Sequence, residues 1–131
     1  MSGLTQAELK ELRQRLQERH AELRDEVRRE LLAADEERYI DLAGRVHDSG
    51  EESVADLLAD LDIARLDRHV NEIRRLEAAF RRLDVGNYGI CHDCDCEIGI
   101  ERLRSQPYAE RCVECQAQYE KEYGQGGSAS L

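Results

Sequence analysis

Four cysteines arranged in two close pairs are the residues best suited to carry chemistry in this chain. Cys91 and Cys94 form one Cys-x-x-Cys pair, and Cys112 and Cys115 form the second. Each pair can supply two thiolates from a tight turn, and the segment between the pairs can bring them together around one tetrahedral ion. The spacing is typical of a zinc site, whereas an iron–sulfur cluster and a redox dithiol are weaker alternatives.

Four cysteine ligands complete the coordination shell of zinc. A catalytic zinc keeps one position open for water or substrate, so the predicted Zn²⁺ is structural. Zinc binding contributes about 10–16 kcal/mol in small fingers, as much as the whole stability of a typical domain, so the finger should unfold on chelation. The sequence shows no nucleophile–base constellation and no phosphate loop, and an enzyme is therefore the least supported class.

A fifth cysteine, Cys96, follows the first pair. We expect it to be a small, partly buried side chain, and a competing ligand or a redox-sensitive thiol is the alternative. The cytosol keeps thiols reduced, so paired cysteines there bind metal more often than they form disulfides.

Apolar residues at three- and four-residue spacing predict two long helices that must position this finger. The first is expected over residues 5–43, with Thr5 and Glu8 as its capping box and Gly44 as its end. Its apolar stripe has a gap at His20.

The second helix is expected over residues 50–84, opened by a capping box of Ser49 with Glu52 and ended by the turn at Gly86. Because the connection is short, the two helices must run antiparallel and bury their stripes against each other as a coiled coil.

The predicted fold is mainly α, a long antiparallel coiled-coil helical hairpin followed by a small four-cysteine zinc finger and a short C-terminal helix. Its domains are a hairpin over 1–85 with an acidic tip near 44–53, the finger with its helix over 86–123, and a low-complexity tail over 124–131 that is expected to be disordered.

Charge is concentrated near the predicted tip. The chain has a formal net charge of −10, and ten acidic residues face only two arginines between residues 35 and 62. A solvated helix surface is the ordinary explanation of such a run. The charge argues against direct DNA binding, which depends on Lys and Arg neutralising phosphates. The sequence shows no signal-peptide pattern and no membrane-length apolar run, so a cytoplasmic protein without membrane association is expected.

The finger closely resembles that of the DksA/TraR family of bacterial zinc-finger regulators. The resemblance is carried by three segments, NYGICHDC at 87–94, IGIERL at 98–103 and PYAERCVEC at 107–115. It is specific over residues 65–120 and architectural over about 5–64. It implies a protein that binds RNA polymerase, enters its secondary channel with the hairpin, and uses the acidic tip to modulate initiation.

The resemblance also indicates which tip residues would contact the polymerase. The family carries Asp-x-x-Asp-x-Ala at the tip, and the matching stretch here is 48–53. Asp48 is kept, Glu51 replaces the second Asp and Ser53 replaces the Ala. The expected polymerase-contacting residues are Asp48, Glu51 and Glu52.

A second departure concerns the alarmone ppGpp. Family members that respond to ppGpp carry basic residues where this chain has Gln106 and Gln116. The remaining candidates for a weak nucleotide site are Arg68, Arg75 and Arg102. Since phosphate binding relies on charge-assisted hydrogen bonds, we expect the ppGpp response to be weak or absent.

A third departure is Asp95, where the family has Gly. Asp tolerates a left-handed backbone better than most residues, so the finger should still form.

Two other functions compete with polymerase regulation. A coiled-coil zinc adaptor or structural protein that does not act on polymerase would share the same scaffold. A nucleic-acid-binding zinc protein is disfavoured, because residues 86–123 contain eight acids and four bases.

Overall fold

The computed structural model describes residues 3–50, 52–59, 61, 63 and 66–123, and helices dominate this part of the chain. The described residues form six helices: α1 Gln6–Ala33, α2 Glu37–His47, α3 Val54–Leu57, α4 Asp67–Val85, α5 Ile100–Ser105 and α6 Val113–Tyr123. The predicted mainly α fold is confirmed. The predicted tail, 124–131, lies outside the described residues. None of the described helices combines the length and the apolar character needed to cross a bilayer.

The described residues divide into two compact units. The finger unit comprises residues 3–13 and 79–123, and the helical unit comprises the described residues between 14 and 78. Helices α1 and α4 each contribute residues to both units.

Helix α1 begins as its capping box predicts. The Glu8 amide donates to Thr5 Oγ1 at 3.0 Å, and the Thr5 amide donates to Glu8 Oε1 at 2.9 Å. The predicted continuation to residue 43 is wrong, because α1 ends at Ala33 and Asp35 takes a left-handed backbone with φ 54°. Asp fills the role that Gly often has at a helix end. Gly44, predicted to end the helix, lies inside α2.

Within the helical unit, α1 and α4 run antiparallel. Arg19 forms a bidentate ion pair with Glu72 at 2.8 and 3.0 Å, and His69 lies 3.1 Å from Glu26. Partners further along α1 therefore lie nearer the start of α4. The apolar residues buried between the helices of this unit are Leu16, Leu23, Val27, Leu31, Ala43, Val46, Val54, Ala55, Leu58, Leu66, Val70, Ile73 and Leu76.

The predicted second helix is interrupted. It was expected to run over 50–84 from a Ser49–Glu52 capping box, but α3 begins only at Val54 and α4 at Asp67. The Glu52 amide donates to the backbone carbonyl of Ser49 at 2.8 Å, and the buried Ser49 hydroxyl has no hydrogen-bond partner among the described residues. Ser53 is the actual cap, accepting from the Asp56 amide at 3.0 Å. Tertiary packing thus overrides a periodicity that suits a longer helix.

Helix α4 ends as predicted at the glycine turn. Gly86 takes φ 84°, its amide donates to Leu83 at 3.3 Å, and the Asn87 amide donates to Arg82 at 3.0 Å. This pair of bonds is a Schellman motif, in which glycine supplies the left-handed residue. The finger follows directly.

Candidate functional site

The first cysteine pair sits in a tight turn. The Cys91 amide donates to the Cys96 carbonyl at 2.7 Å, and the Asp95 amide donates back to the Cys91 carbonyl at 3.0 Å. Asp95 takes φ 62° to close the turn, so the prediction that Asp would tolerate this conformation is confirmed. An antiparallel bridge between Ile90 and Glu97 holds the two sides of the turn together.

The second cysteine pair opens helix α6. Cys112 precedes the helix and Cys115 lies in its first turn, where the Cys115 amide points at Cys112 Sγ at 3.4 Å. The Gln116 amide donates to the Cys112 carbonyl at 2.8 Å. A hydrogen bond of 2.8 Å from the His92 amide to the Glu110 carbonyl joins this segment to the first turn. The two pairs are thereby brought face to face.

The four sulphur atoms fit one zinc ion. All of them lie within 4.8 Å of one another, and Cys94 Sγ lies 3.9 Å from Cys112 Sγ. A tetrahedron with Zn–S bonds of about 2.3 Å has sulphur–sulphur edges of about 3.8 Å. Cys91 is fully buried and the shell is complete with four thiolates, so the geometry supports a structural Zn²⁺.

The pKa values of two of these cysteines are shifted in opposite directions. Burial opposes ionisation of Cys91, but backbone N–H groups nearby, led by that of Cys112, outweigh it and lower the pKa of Cys91 to about 6. The neighbouring sulphurs raise the pKa of Cys115. A divalent cation removes this conflict, because it allows all four ligands to be thiolates at once.

Arg111 braces the finger beside the cysteines. Its guanidinium lies 2.8 Å from Asp93 and 3.0 Å from Glu110, and it stacks 4.1 Å above the ring of Tyr119. The Arg111 carbonyl accepts a 2.8 Å bond from Arg102 Nε. One arginine therefore connects the turn of the first cysteine pair to α6, which carries the second.

A second set of contacts fastens the finger loop to the end of α4. Arg82 donates to the carbonyls of Tyr108 and Ala109 at 3.1 and 3.4 Å, and Tyr88 Oη donates to the Pro107 carbonyl at 2.7 Å. Burial raises the pKa of Tyr88 to about 12, which keeps its hydroxyl available as a donor. Sequence reasoning missed these residues, although a tyrosine between two glycines was a signal.

Cys96 differs from expectation. Its side chain is exposed, so the predicted partial burial is wrong. It contributes its backbone carbonyl to the turn, and its sulphur is not a member of the four-cysteine cluster.

The predicted polymerase-contacting residues lie in the acidic segment, which we define as residues 48–53. Asp48 has a side chain 80% exposed, 3.0 Å from His47. Glu52 is 56% exposed and lies 3.9 Å from Arg45, so its pairing is loose. Glu51 lies outside the described residues. The two described members both present carboxylates to solvent.

The acidic segment lies beside α4. Ser53 Oγ donates to Glu77 Oε1 at 2.7 Å, and the Val54 amide donates to Glu77 Oε2 at 3.0 Å. Glu77 lies in the middle of α4. The acidic segment therefore lies beside this helix, whereas a hairpin tip would lie beyond its end. Sequence reasoning missed Glu77, and the gap in the apolar stripe at His20, which pairs with it, was the signal.

The candidate nucleotide residues fall in different units. Arg68 and Arg75 are exposed on α4 in the helical unit, seven residues apart and thus on one face of the helix. Arg102 lies in the finger unit with its Nε engaged by Arg111. Gln116 donates its side-chain amide to Glu120 at 2.9 Å. The nucleotide site stays a prediction.

The finger matches a known protein family. Residues 86–121 match the prokaryotic dksA/traR C4-type zinc finger. Curated relatives extend the similarity beyond it. The RNA polymerase-binding transcription factor DksA of Escherichia coli (strain K12) is 28% identical over 112 residues, which cover 86% of this chain and 71% of that protein. The protein of the same name from Haemophilus influenzae is 36% identical over 55 residues, covering 42% of this chain and 38% of that protein.

A solved structure is similar over nearly the whole chain. Transcription factor DksA2 from Pseudomonas aeruginosa superposes with a TM-score of 0.62 at 26% sequence identity, covering 95% of this chain and 92% of that one. The similarity therefore includes the helices as well as the finger. The resemblance to the DksA/TraR family is confirmed: residues 86–121 match its C4-type zinc finger, and the fold is similar to that of DksA2.

Proposed function

We propose that this protein is a DksA-like transcription regulator that binds bacterial RNA polymerase and acts without enzymatic chemistry of its own. The observation that carries the proposal is the reach of the similarity, which spans 95% of the chain in the structural comparison. A finger alone could serve many partners, whereas a shared finger and shared helices support a shared target. Action on polymerase would place the protein in the cytoplasm.

The zinc finger has a structural role in this proposal. Its complete four-cysteine shell gives the ion no open position for substrate, so the metal orders the finger and does not react. Arg111 links the ordered finger to α6 through Tyr119. Arg82 links the finger loop to the end of α4 through the Tyr108 carbonyl.

The acidic segment is the proposed effector. Asp48, Glu51 and Glu52 would complement the basic walls and bound Mg²⁺ of the polymerase secondary channel, where they would modulate initiation. The exposure of Asp48 and Glu52 supports this role, because neither carboxylate is committed to a buried partner. The net charge of −10 disfavours direct binding to DNA.

We also propose that ppGpp affects this protein weakly or not at all. Gln106 and Gln116 offer no positive charge, and Arg102 is partly engaged within the finger. Arg68 and Arg75 are exposed on α4, but they are two cations where responsive family members use more.

Competition for core polymerase tests the function. The zinc-loaded protein is titrated onto bacterial core RNA polymerase with a Gre-type transcript-cleavage factor, which also enters the secondary channel, as competitor. We expect mutually exclusive binding. Replacing the acids of the segment, Asp48→Asn with Glu51→Gln and Glu52→Gln, should weaken binding by about tenfold through lost electrostatic complementarity.

A charge-matched control separates the segment from the overall charge. Asp25→Asn with Glu18→Gln and Glu22→Gln neutralises three exposed acids on α1 by the same chemistry and should leave binding within about twofold. Absence of binding by the unmodified protein would overturn the proposal and favour a zinc adaptor with another partner. Equal weakening by both sets of substitutions would remove the special role of the acidic segment.

A further inference from the structure

Glu77 connects the acidic segment to both long helices of the helical unit. Its carboxylate accepts from Ser53 Oγ at 2.7 Å and from the Val54 amide at 3.0 Å, where the segment passes into α3. The same carboxylate lies 2.9 Å from His20 Nε2 on α1. Three separate stretches of chain thus meet at one side chain.

The surroundings of Glu77 make these bonds strong. Its side chain is 13% exposed and that of His20 is 16% exposed, so water competes poorly for either. A carboxylate in such a place is stable only while its hydrogen bonds are made, since an unsatisfied buried charge is costly. Burial raises the pKa of Glu77, but the bonds from His20, Ser53 and Val54 outweigh it and lower the pKa overall.

The hydrogen bond between Ser53 and Glu77, which we call the link, uses a residue at which this chain departs from the family motif. Ser53 occupies the position where the DksA/TraR motif has Ala, and an alanine could make neither of its two side-chain bonds. Ser53 Oγ donates to Glu77 and accepts from the Asp56 amide, capping α3 at the same time. The change from Ala to Ser therefore adds a specific attachment to the helix pair.

We propose that Glu77 is a positioning residue for the acidic segment. Through Ser53 and Val54 it holds the segment at a set height along α4, and His20 orients the carboxylate that does so. Asp48 and Glu52 are then presented from a fixed base, although their own side chains are exposed. The existence of the link is independent of the proposed function, and its consequence for transcription rests on that function.

Three substitutions at Ser53 and one control isolate the link. Ser53→Asp keeps the helix cap, because Asp caps as well as Ser, but it places a second negative charge against Glu77. Ser53→Ala removes the hydrogen bonds of the side chain to Glu77 and to the Asp56 amide. Ser53→Thr keeps the hydroxyl and should retain both bonds. Ser49→Ala is the matched control, since it removes a serine hydroxyl of the same segment for which the described part of the chain offers no hydrogen-bond partner.

Amide hydrogen exchange of the zinc-loaded protein tests the link without polymerase. Ser53→Asp should speed exchange of the Val54, Leu57 and Leu58 amides by at least about tenfold, because the segment then opens locally. Ser53→Thr and Ser49→Ala should stay within about twofold of the unmodified protein. Exchange that is unchanged in Ser53→Asp would overturn the link.

Transcription at saturating protein tests the positioning role. If Glu77 positions the effector carboxylates, the effect of the Ser53→Asp variant on initiation at saturation should be at least about fivefold smaller than that of the unmodified protein. Ser53→Thr should retain the full effect. Rapid exchange combined with a full effect at saturation would overturn the positioning role. Failure of the unmodified protein to bind polymerase would contradict the proposed function instead, and the exchange result would still decide whether the link exists.

Discussion

The zinc finger and the acidic segment are both held in place by specific side chains, but the chemistry that holds them differs. Four thiolates within 4.8 Å of one another order the finger around a metal ion. One carboxylate, Glu77, orders the acidic segment through two hydrogen bonds and a histidine. The finger should therefore depend on a bound ion in an all-or-none manner, whereas the segment should loosen by degrees.

Removing zinc should produce the largest difference between the two regions. Chelation with EDTA, or Cys112→Ser, should unfold residues 86–123, because zinc binding contributes about 10–16 kcal/mol to such a finger. The hydrogen bonds of Glu77 involve none of the cysteines, so the helical unit should keep its protected amides. Hydrogen exchange resolved by residue checks this, and equal loss of protection in both units would show that the helical unit also depends on zinc.

Glu77→Ala should have the next largest effect, with the opposite distribution. It leaves Ser53, Val54 and His20 without their shared acceptor, which should cost about 2–4 kcal/mol of unfolding free energy in urea. Zinc content should remain at one ion per chain, as measured by metal release to a chromogenic chelator. Loss of zinc from this variant would show that the two regions are not held independently.

The pH dependence of Glu77 provides a smaller and more specific test. Because the folded protein lowers the pKa of Glu77 below its ordinary value of about 4.3, its contribution is complete above that pH. The contribution is lost as pH falls through the lower, folded value. His20 is the titratable group whose ring nitrogen faces its carboxylate.

Glu77→Gln is the matched variant for this measurement, since it keeps the shape and cannot ionise. The difference in urea midpoint between the unmodified protein and Glu77→Gln should shrink as pH falls from 5 to 3. Release of zinc at acid pH affects both proteins alike and cancels in the difference. A difference that grew on acidification would contradict the assigned direction.

The smallest expected effect comes from Gly44. This residue lies within α2 on an exposed position, and a Cβ added there would meet no atom of the described residues within 4 Å. Gly44→Ala should therefore raise the unfolding free energy of the helical unit by about 0.5–1 kcal/mol. Thermal unfolding followed by circular dichroism checks it, and destabilisation would indicate that α2 ends earlier than the structure shows.

The same comparison explains what the sequence could and could not predict. The spacing of Cys91, Cys94, Cys112 and Cys115 is a local pattern with one chemical meaning, so the metal centre was predictable. The capping box at Thr5 and the Schellman glycine at Gly86 are equally local, and both are found as expected.

The acidic segment was harder because its structure depends on distant residues. Ser49 and Glu52 have the spacing of a capping box, yet Ser53 caps α3 because Glu77, far along the chain, binds there. Asp35 ends α1 with a left-handed backbone. Glycine is the residue expected at such a helix end, so the sequence pattern pointed to Gly44 instead. Periodicity reports which residues prefer a helix, and it does not report where packing interrupts one.

Site-specific photocrosslinking from the acidic segment tests the central proposal most directly. A photoreactive phenylalanine derivative replaces Glu52, and the same residue at Asp25 on the exposed side of α1 serves as the matched control. With core RNA polymerase, we predict crosslinks from position 52 to the subunits that surround the catalytic Mg²⁺, suppressed by a Gre-type competitor, and few from position 25. Crosslinks from position 25 alone, or none to polymerase from either position, would contradict the proposal that this segment acts in the secondary channel.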